Sequence, residues 1–262
     1  MPLSPVHGKN ATILVQPTDA SPWLNDAAED WTFDLADTTV FGVGAQSSIP
    51  GYPGGTNTLT GPLDATQTSG GEAIVAALIA GSVSVPITVV PQGAGVQGNS
   101  CSVANMFASH HEPQSVYTDV AKFTSSWVYA TKMDPDGMIC QSNVAVAGAS
   151  FNQTGNTQYK GTSTDFLAVS TFGGIANLHV ITNTLNQTLT VKLVHDTAVG
   201  LGTAVDVTSG GFTTIGTGLT GSQSIIVPAQ SLNRYIGVVA TAGAASPTGS
   251  VTFVLSFGRF SY

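Results

Sequence analysis

The sequence predicts a mainly β protein, and three observations predict it. Apolar and polar residues alternate with period two over most of the chain, the spacing that puts successive side chains on opposite faces of a strand. Clusters of Gly, Pro, Asn and Ser punctuate those runs at turn-like intervals. Only one segment has a helical signature. The expected organisation is an N-terminal β-barrel or sandwich with one flanking helix over residues 1–148, a linker over 149–164, and a C-terminal β-sandwich over 165–262.

Each element follows from local pattern. Residues 11–16 form a short apolar run, and 32–41 alternate Phe33 and Leu35 against Asp34 and Ala36. Val85, Ile87 and Val89 alternate with Ser84, Pro86 and Thr88, where a proline suits an edge or a bulge. Strands are expected at 100–108 and 115–132, separated by a polar rim at His110-His111-Glu112-Pro113. The second would set Tyr117, Phe123, Trp127 and Tyr129 on one face and Val116, Val120 and Val128 on the other. Met133-Asp134-Pro135-Asp136-Gly137 reads as a turn, after which 138–146 returns antiparallel.

The helix is expected near residues 72–80. Ser69 and Glu72 have capping-box spacing, an apolar stretch follows over 73–80, and Gly81 is placed to terminate it in the left-handed region. With no polar face, the helix should be buried on most sides, within its subunit or between subunits. The polar stretch 147–164 reads as a linker. Strands are then expected at 175–182, 188–195, 204–207, 223–227, 234–241 and 250–260. The last puts Val251, Phe253, Leu255 and Phe257 inward and Thr252 and Ser256 outward. Six short strands in about 100 residues without a helical pattern indicate a sandwich.

The charge inventory limits the function. Only 22 of 262 residues are charged, 8 %, whereas a soluble domain usually carries about a quarter. Such a chain meets its surroundings with hydroxyls and amides, or hides its surface against copies of itself; that favours a building block over an enzyme. Residues 1–148 hold 12 acids against three lysines, a balance of −9, and residues 149–262 balance at +1. Six acids fall between Asp19 and Asp37, the reverse of a nucleic-acid-gripping footprint. No apolar run reaches the roughly 18 residues of a bilayer span, and the opening residues lack the apolar core of a secretory signal. Without export, the sequons at Asn10, Asn152 and Asn186 are composition, and Cys101 and Cys140 are expected as two buried thiols rather than a disulfide.

No catalytic, cofactor or metal site is expected. His110 and His111 are adjacent and point to opposite faces of a strand, so they do not share a metal from one element. His179 and His195 lie on neighbouring expected strands and read as half-buried histidines capped by a backbone group or water. Asp134–Gly137 lacks the further acids of a calcium loop. Gly93-Ala94-Gly95-Val96-Gln97-Gly98 precedes no helix, so it reads as a flexible surface loop and not a phosphate cradle. The pairs Glu29/Asp30 and Asp34/Asp37 lack the aromatics of a sugar cleft.

Several stretches together resemble one family. Residues 33–42, ending Asp37-Thr38-Thr39-Val40-Phe41-Gly42, resemble a strand and Asp-x-Thr-x-Phe-Gly signature near the front of the major tail proteins of long-tailed, siphovirus-type phages. Ile49-Pro50-Gly51-Tyr52-Pro53 is similar to the Pro-Gly loop that follows there, and Asn57 to Gly61 with Leu63 and Asp64 to its next strand and Gly-x-x-Asp step. The helix near 72–80 sits where that family has one, and residues 89–98 are similar to its Pro-x-Gly strand exit. The resemblance covers roughly residues 8–146. More loosely, Leu178-His179-Val180, Val194-His195-Asp196, Asn233 to Ile236 and Phe257 to Phe260 resemble an accessory sandwich on some members.

The resemblance implies a tail tube subunit: a β-barrel with a flanking helix, six copies closing a ring, and rings stacking into a non-contractile conduit for DNA within the virion. The implied partners are further copies, the tape measure, tail terminator and distal tail proteins, with assembly in the host bacterial cytoplasm, no membrane and no specific grip on DNA. Part of the acidic excess would line the bore. The acids at 19–37 and the segments 45–55 and 92–99 equally suit ring stacking, the latter as Gly/Pro loops that order on contact. The rival expectation is a capsid decoration or a glycan-binding adhesin module at the host surface, although residues 149–262 contain no Trp and only three Tyr.

Overall fold

The computed structural model describes residues 10–37, 48–63, 71–115, 120–131, 134–155, 158–243 and 247–260. In chain order the strands are β1 (Thr12–Val15), β2 (Thr18–Asp19), β3 (Asp26–Asp37), β4 (Ser48–Pro62), β5 (Val85–Val90), β6 (Ser100–Gln114), β7 (Lys122–Tyr129), β8 (Asp134–Gln141) and β9 (Ala145–Ala147). They continue as β10 (Gln158–Lys160), β11 (Thr164–Asp165), β12 (Gly174–Asn183), β13 (Leu189–Asp196), β14 (Val205–Gly211), β15 (Gly221–Val227), β16 (Tyr235–Ala242) and β17 (Ser250–Arg259). One α-helix, α1 (Gly71–Gly81), interrupts them. The chain is mainly β, with antiparallel sheets.

Two compact units form, and they do not follow chain order. The first contains residues 1–21, 85–105 and 133–262; the second contains 22–84 and 106–132. A division at residue 148 is therefore not the one the packing makes. Residues 147–164 also differ from the expected linker: Gly148–Gly155 is a 3-10 helix whose Phe151 is fully buried, and β10 and β11 both pair with β16. The signal missed there was two large aromatics in a polar stretch, Phe151 and Tyr159, whose rings pack at 5.9 Å in one core.

The first unit is built from two sheets. One runs in the order β15-β12-β17-β8-β6-β5-β1-β2, and the other in the order β10-β16-β13-β14, with β11 also on β16. Leu178, Val180, Phe253, Leu255 and Phe257 of the first sheet meet Val191, Leu193, Ile236 and Val238 of the second, with Cys140 and Phe151 in the same core. Each such side chain contributes roughly 1.5–3 kcal/mol by leaving water. The opposite face of the first sheet is also covered. Ile175 and Val254 pack with Leu14, Val90, Cys101, Val103 and Ile139, so this sheet folds over a second apolar core in the manner of a barrel.

Two expectations change for this reason. Residues Val85–Val90 are buried on both faces instead of alternating, and Pro86 sits near the start of an interior strand, its carbonyl accepting the Gln16 N–H at 3.2 Å. In β17, Ser256 is fully buried and not outward. Its hydroxyl is 2.9 Å from that of Thr88, which lies 2.9 Å from His179 Nε2; His179 Nδ1 is 2.6 Å from the Gln16 carbonyl. Asn177 Nδ2 donates to the carbonyls of Ile87 at 2.9 Å and Ala104 at 2.8 Å. These polar groups replace apolar packing across the inside of the sheet, and all of the side-chain atoms except Asn177 Oδ1 have hydrogen-bond partners there.

The second unit is a four-stranded antiparallel sheet in the order β3-β4-β7-β6, where β6 contributes its later residues. Leu59, Met106, Phe123 and Trp127 are buried in it together with the polar Asn57 and Ser125, and the Trp127 indole N–H donates to Ser125 Oγ at 2.9 Å. The segment that resembled a Pro-Gly loop is part of β4. Pro50 and Pro53 are tolerated because only β3 pairs with that stretch; the ladder to β7 begins at Thr56. Gly61 is required by close packing, since a Cβ there would lie 2.0 Å from the Trp23 carbonyl oxygen.

In α1, Val75 and Leu78 are buried one turn apart while Ala76, Ala77 and Ala80 are exposed. The helix is thus buried on one side within the subunit. Its left-handed terminator is Ser82 at φ 48°, not Gly81, and the Ser82 N–H donates to the Ile79 carbonyl at 3.3 Å. The expected cap at Ser69 lies outside the described residues.

Candidate assembly surface

Residues singled out for chemistry are dispersed by the fold. His110 to Pro113 form no hairpin rim; they lie within β6, opposite Ser126, Ser125, Thr124 and Phe123 of β7. His110 Nε2 is 3.6 Å from Glu112 Oε2 on the surface, and the His111 ring packs at 5.8 Å from that of Phe123. His179 and His195 belong to different sheets. His179 is fully buried, and burial depresses its pKa to about 4. His195 accepts the Asn233 N–H at its Nδ1, 3.0 Å away. Cys101 and Cys140 are both buried, and burial pushes the Cys140 thiol up to about 12. Among the described residues no group of three His, Cys, Asp or Glu is placed to hold a metal, and no helix is long and apolar enough to cross a membrane.

The Gly93–Gly98 segment is an ordered turn, not a flexible loop. Gly93 and Gly98 both take φ near 86°, Ala94 is fully buried, and Asn99 Nδ2 donates to the Gly93 carbonyl at 2.8 Å. Gln97 Nε2 ties it further to the Thr162 carbonyl at 2.8 Å.

Asp134 and Asp136 open β8 instead of forming a free turn. Asp134 Oδ1 accepts the Asp136 N–H at 2.7 Å, while Oδ2 is buried without a hydrogen-bond partner. Gly258 makes room for it: a Cβ there would come within 2.3 Å of the Asp134 Cβ. Burial, with a smaller push from the Asp136 charge, raises the Asp134 pKa from 3.8 to about 7. The stability this confers is complete below pH 3.8 and is lost as pH rises through about 7. His179 has the opposite sign: its contribution is present above 6.5 and is lost as pH falls through about 4. The two act in opposite directions over pH 4 to 6.5. Asp134→Asn is therefore expected to leave stability rising from pH 4 to 6.5, and His179→Gln to leave it falling over pH 4 to 7. Urea titrations across that range check both; parallel curves for the two variants contradict the assignment.

The second unit presents the candidate assembly surface. Alternation sends Leu59, Ser125 and Trp127 to the packed face, and Thr56, Thr58, Thr60, Thr124, Ser126 and Val128 to the other. Asp26 and Asp30 of β3 lie opposite Thr60 and Thr56, and Glu112 of β6 lies opposite Thr124. All three acids are exposed. The result is a hydroxyl-rich face bordered by carboxylates, with Lys122 as its one cation among the described residues. By sequence this unit holds nine acids against Lys122 and Lys132, a balance of −7, while the first unit balances at −1. The side chains of Asp34 and Asp37 lie outside the described ones. Both outer strands, β3 and the later part of β6, have a ladder partner on one side only among the described strands. An open strand edge is a template for pairing with another chain.

No protein-family model matches the sequence, and no curated protein matches it. The solved structures to which it is similar include phage tail tube and tail hub proteins. The SPP1 tail tube is 10 % identical, covers 50 % of this chain and 80 % of its own, and gives a TM-score of 0.41. A chain from the tail of an empty gene transfer agent particle with C6 symmetry is 11 % identical, covers 48 % of this chain and 96 % of its own, and gives 0.38. The SPP1 Dit protein, described as a hub of the adsorption apparatus in phages infecting Gram-positive hosts, is 12 % identical, covers 95 % of this chain and 99 % of its own, and gives 0.36.

Proposed function

We propose that this chain is a structural, non-enzymatic subunit of a phage tail, the major tail tube protein of a siphovirus-type virion. Six copies close a ring through the outer strands of the second unit, and rings stack into a non-contractile conduit that DNA traverses without being gripped. The observation that carries this reading is the four-stranded sheet whose outer strands each have one ladder partner among the described strands, with an exposed face of hydroxyls and carboxylates. Ring closure satisfies the edges, and a face bearing Asp26, Asp30 and Glu112 repels a polyanion when turned to the bore. The scarcity of charge over the whole chain supports burial against neighbours. Tape measure, terminator and distal tail proteins are the further partners, met after synthesis in the host bacterial cytoplasm.

Negative-stain microscopy of the purified protein, with sedimentation over a wide concentration range, tests the reading. Stacked rings or tubes are expected. A solitary particle that binds a glycan array overturns it in favour of a decoration or adhesin module.

A further inference from the structure

The first unit also has outer strands, and the structure treats them differently. β14 pairs only with β13, and β15 pairs only with β12, so each ends its sheet. Past β14 the chain stays on β13: the Phe212 N–H donates to the Val191 carbonyl at 2.9 Å, and Ile215 exchanges bonds with Leu189. At Thr208, in the bulged part of β14 between the paired residues Asp206 and Gly211, and at Thr213, between the Phe212 and Ile215 contacts, both backbone groups of the residue are taken by a single glutamine side chain. Gln230 Oε1 accepts the Thr208 N–H at 3.0 Å, and its Nε2 donates to the Thr208 carbonyl at 2.9 Å. Gln223, on β15, does the same to Thr213 at 2.6 and 2.8 Å. A carboxamide sets an N–H donor beside a C=O acceptor, so each glutamine bonds both backbone groups of one residue as a residue of an incoming strand would.

We propose that Gln223 and Gln230 are edge plugs that exclude the β14 edge from intermolecular strand pairing by a second copy of this chain. An added strand needs a run of outward N–H and C=O groups two residues apart. Thr208 within β14 and Thr213 just past its end already have both backbone groups bonded, which breaks that run on either side of Gly211, and the side chains that bond them stand where the strand would lie. Charge does little to guard this edge: Lys192 and Asp206 neutralise each other at 2.8 Å. The plugs act whether or not the assembled form is a tail tube. Strand addition at this edge of the first unit is thereby opposed.

The test uses the full chain with Thr208→Cys as a surface reporter, since both native cysteines are buried. Oxidation with copper phenanthroline is compared with and without Gln223→Ala and Gln230→Ala. Removing the plugs is expected to raise the covalent dimer linked through position 208 by about tenfold, the yield of roughly one freed hydrogen-bonding residue per edge. Equal cross-linking in both backgrounds overturns the proposal, and so does a lowered melting temperature with no new dimer, because that is the behaviour of a mere staple. Gln230→Met alone, which keeps the bulk and removes one plug, repeats the comparison if the double variant unfolds. Ring or tube formation through the second unit is scored separately by microscopy, so failure here and failure of the tail tube reading are told apart.

Discussion

Asn177→Asp is expected to destabilise the first unit by about 3–5 kcal/mol at neutral pH, although it exchanges one amide nitrogen for an oxygen. Asn177 is fully buried, and its Nδ2 donates to the Ile87 and Ala104 carbonyls across the inside of the sheet. An aspartate turns two attractive contacts into oxygen facing oxygen and adds a charge with no cation to meet it. Against a total stability of about 5–15 kcal/mol for a domain, this is a large fraction. Protonation restores one donor, so part of the loss should return by pH 5. Urea midpoints at pH 7 and 5 check the result. A loss under about 1 kcal/mol at pH 7 would mean that the amide does not bridge these strands.

The second large effect concerns DNA. Replacing Asp26, Asp30 and Glu112 together by lysine changes each subunit by six charges on one exposed face, without touching the packed face that holds Leu59, Phe123 and Trp127. Surface exchanges of this kind alter stability little, about 0.5 kcal/mol each. The assembled wild type is expected to pass a DNA duplex without retaining it at low salt. The lysine variant is expected to retain DNA, with affinity falling steeply as salt rises, because released counterions set the slope. Filter binding at several salt concentrations reads the difference. If the variant assembles and still ignores DNA, the acidic face does not line the bore.

The strands of the second half were legible because each is a short alternating run between turn residues: the expected 175–182 and 188–195 correspond to β12 and β13, and 250–260 to β17. The helix was legible from one capping pattern and an apolar stretch. Residues 110–113 were not, since a polar, proline-ended tetrapeptide reads as a turn. What makes it strand is the ladder to Ser126, Ser125, Thr124 and Phe123, residues that local pattern does not assign to it. Residues 48–55 failed for the same reason, with β3 as the partner. Ser256 looked outward because alternation assumes that one face meets water, and from Phe253 to Gly258 of β17, as all along β5, neither face does.

By itself, then, the amino-acid order determined the β class, the helix, the scarcity of ions and the excess of acids toward the front, all of which are properties of composition or of neighbours a few residues apart. Only the tertiary structure decided that residues 85–105 join 133–262 in one unit, which strands are doubly buried, that Asp26, Asp30 and Glu112 share a face, and that two glutamines occupy the edge of β14. Those outcomes rest on contacts between residues tens to more than a hundred positions apart, such as the 168-residue separation of Thr88 and Ser256. Local periodicity carries no record of such partners, because it registers which side of a strand is apolar and not what comes to cover it.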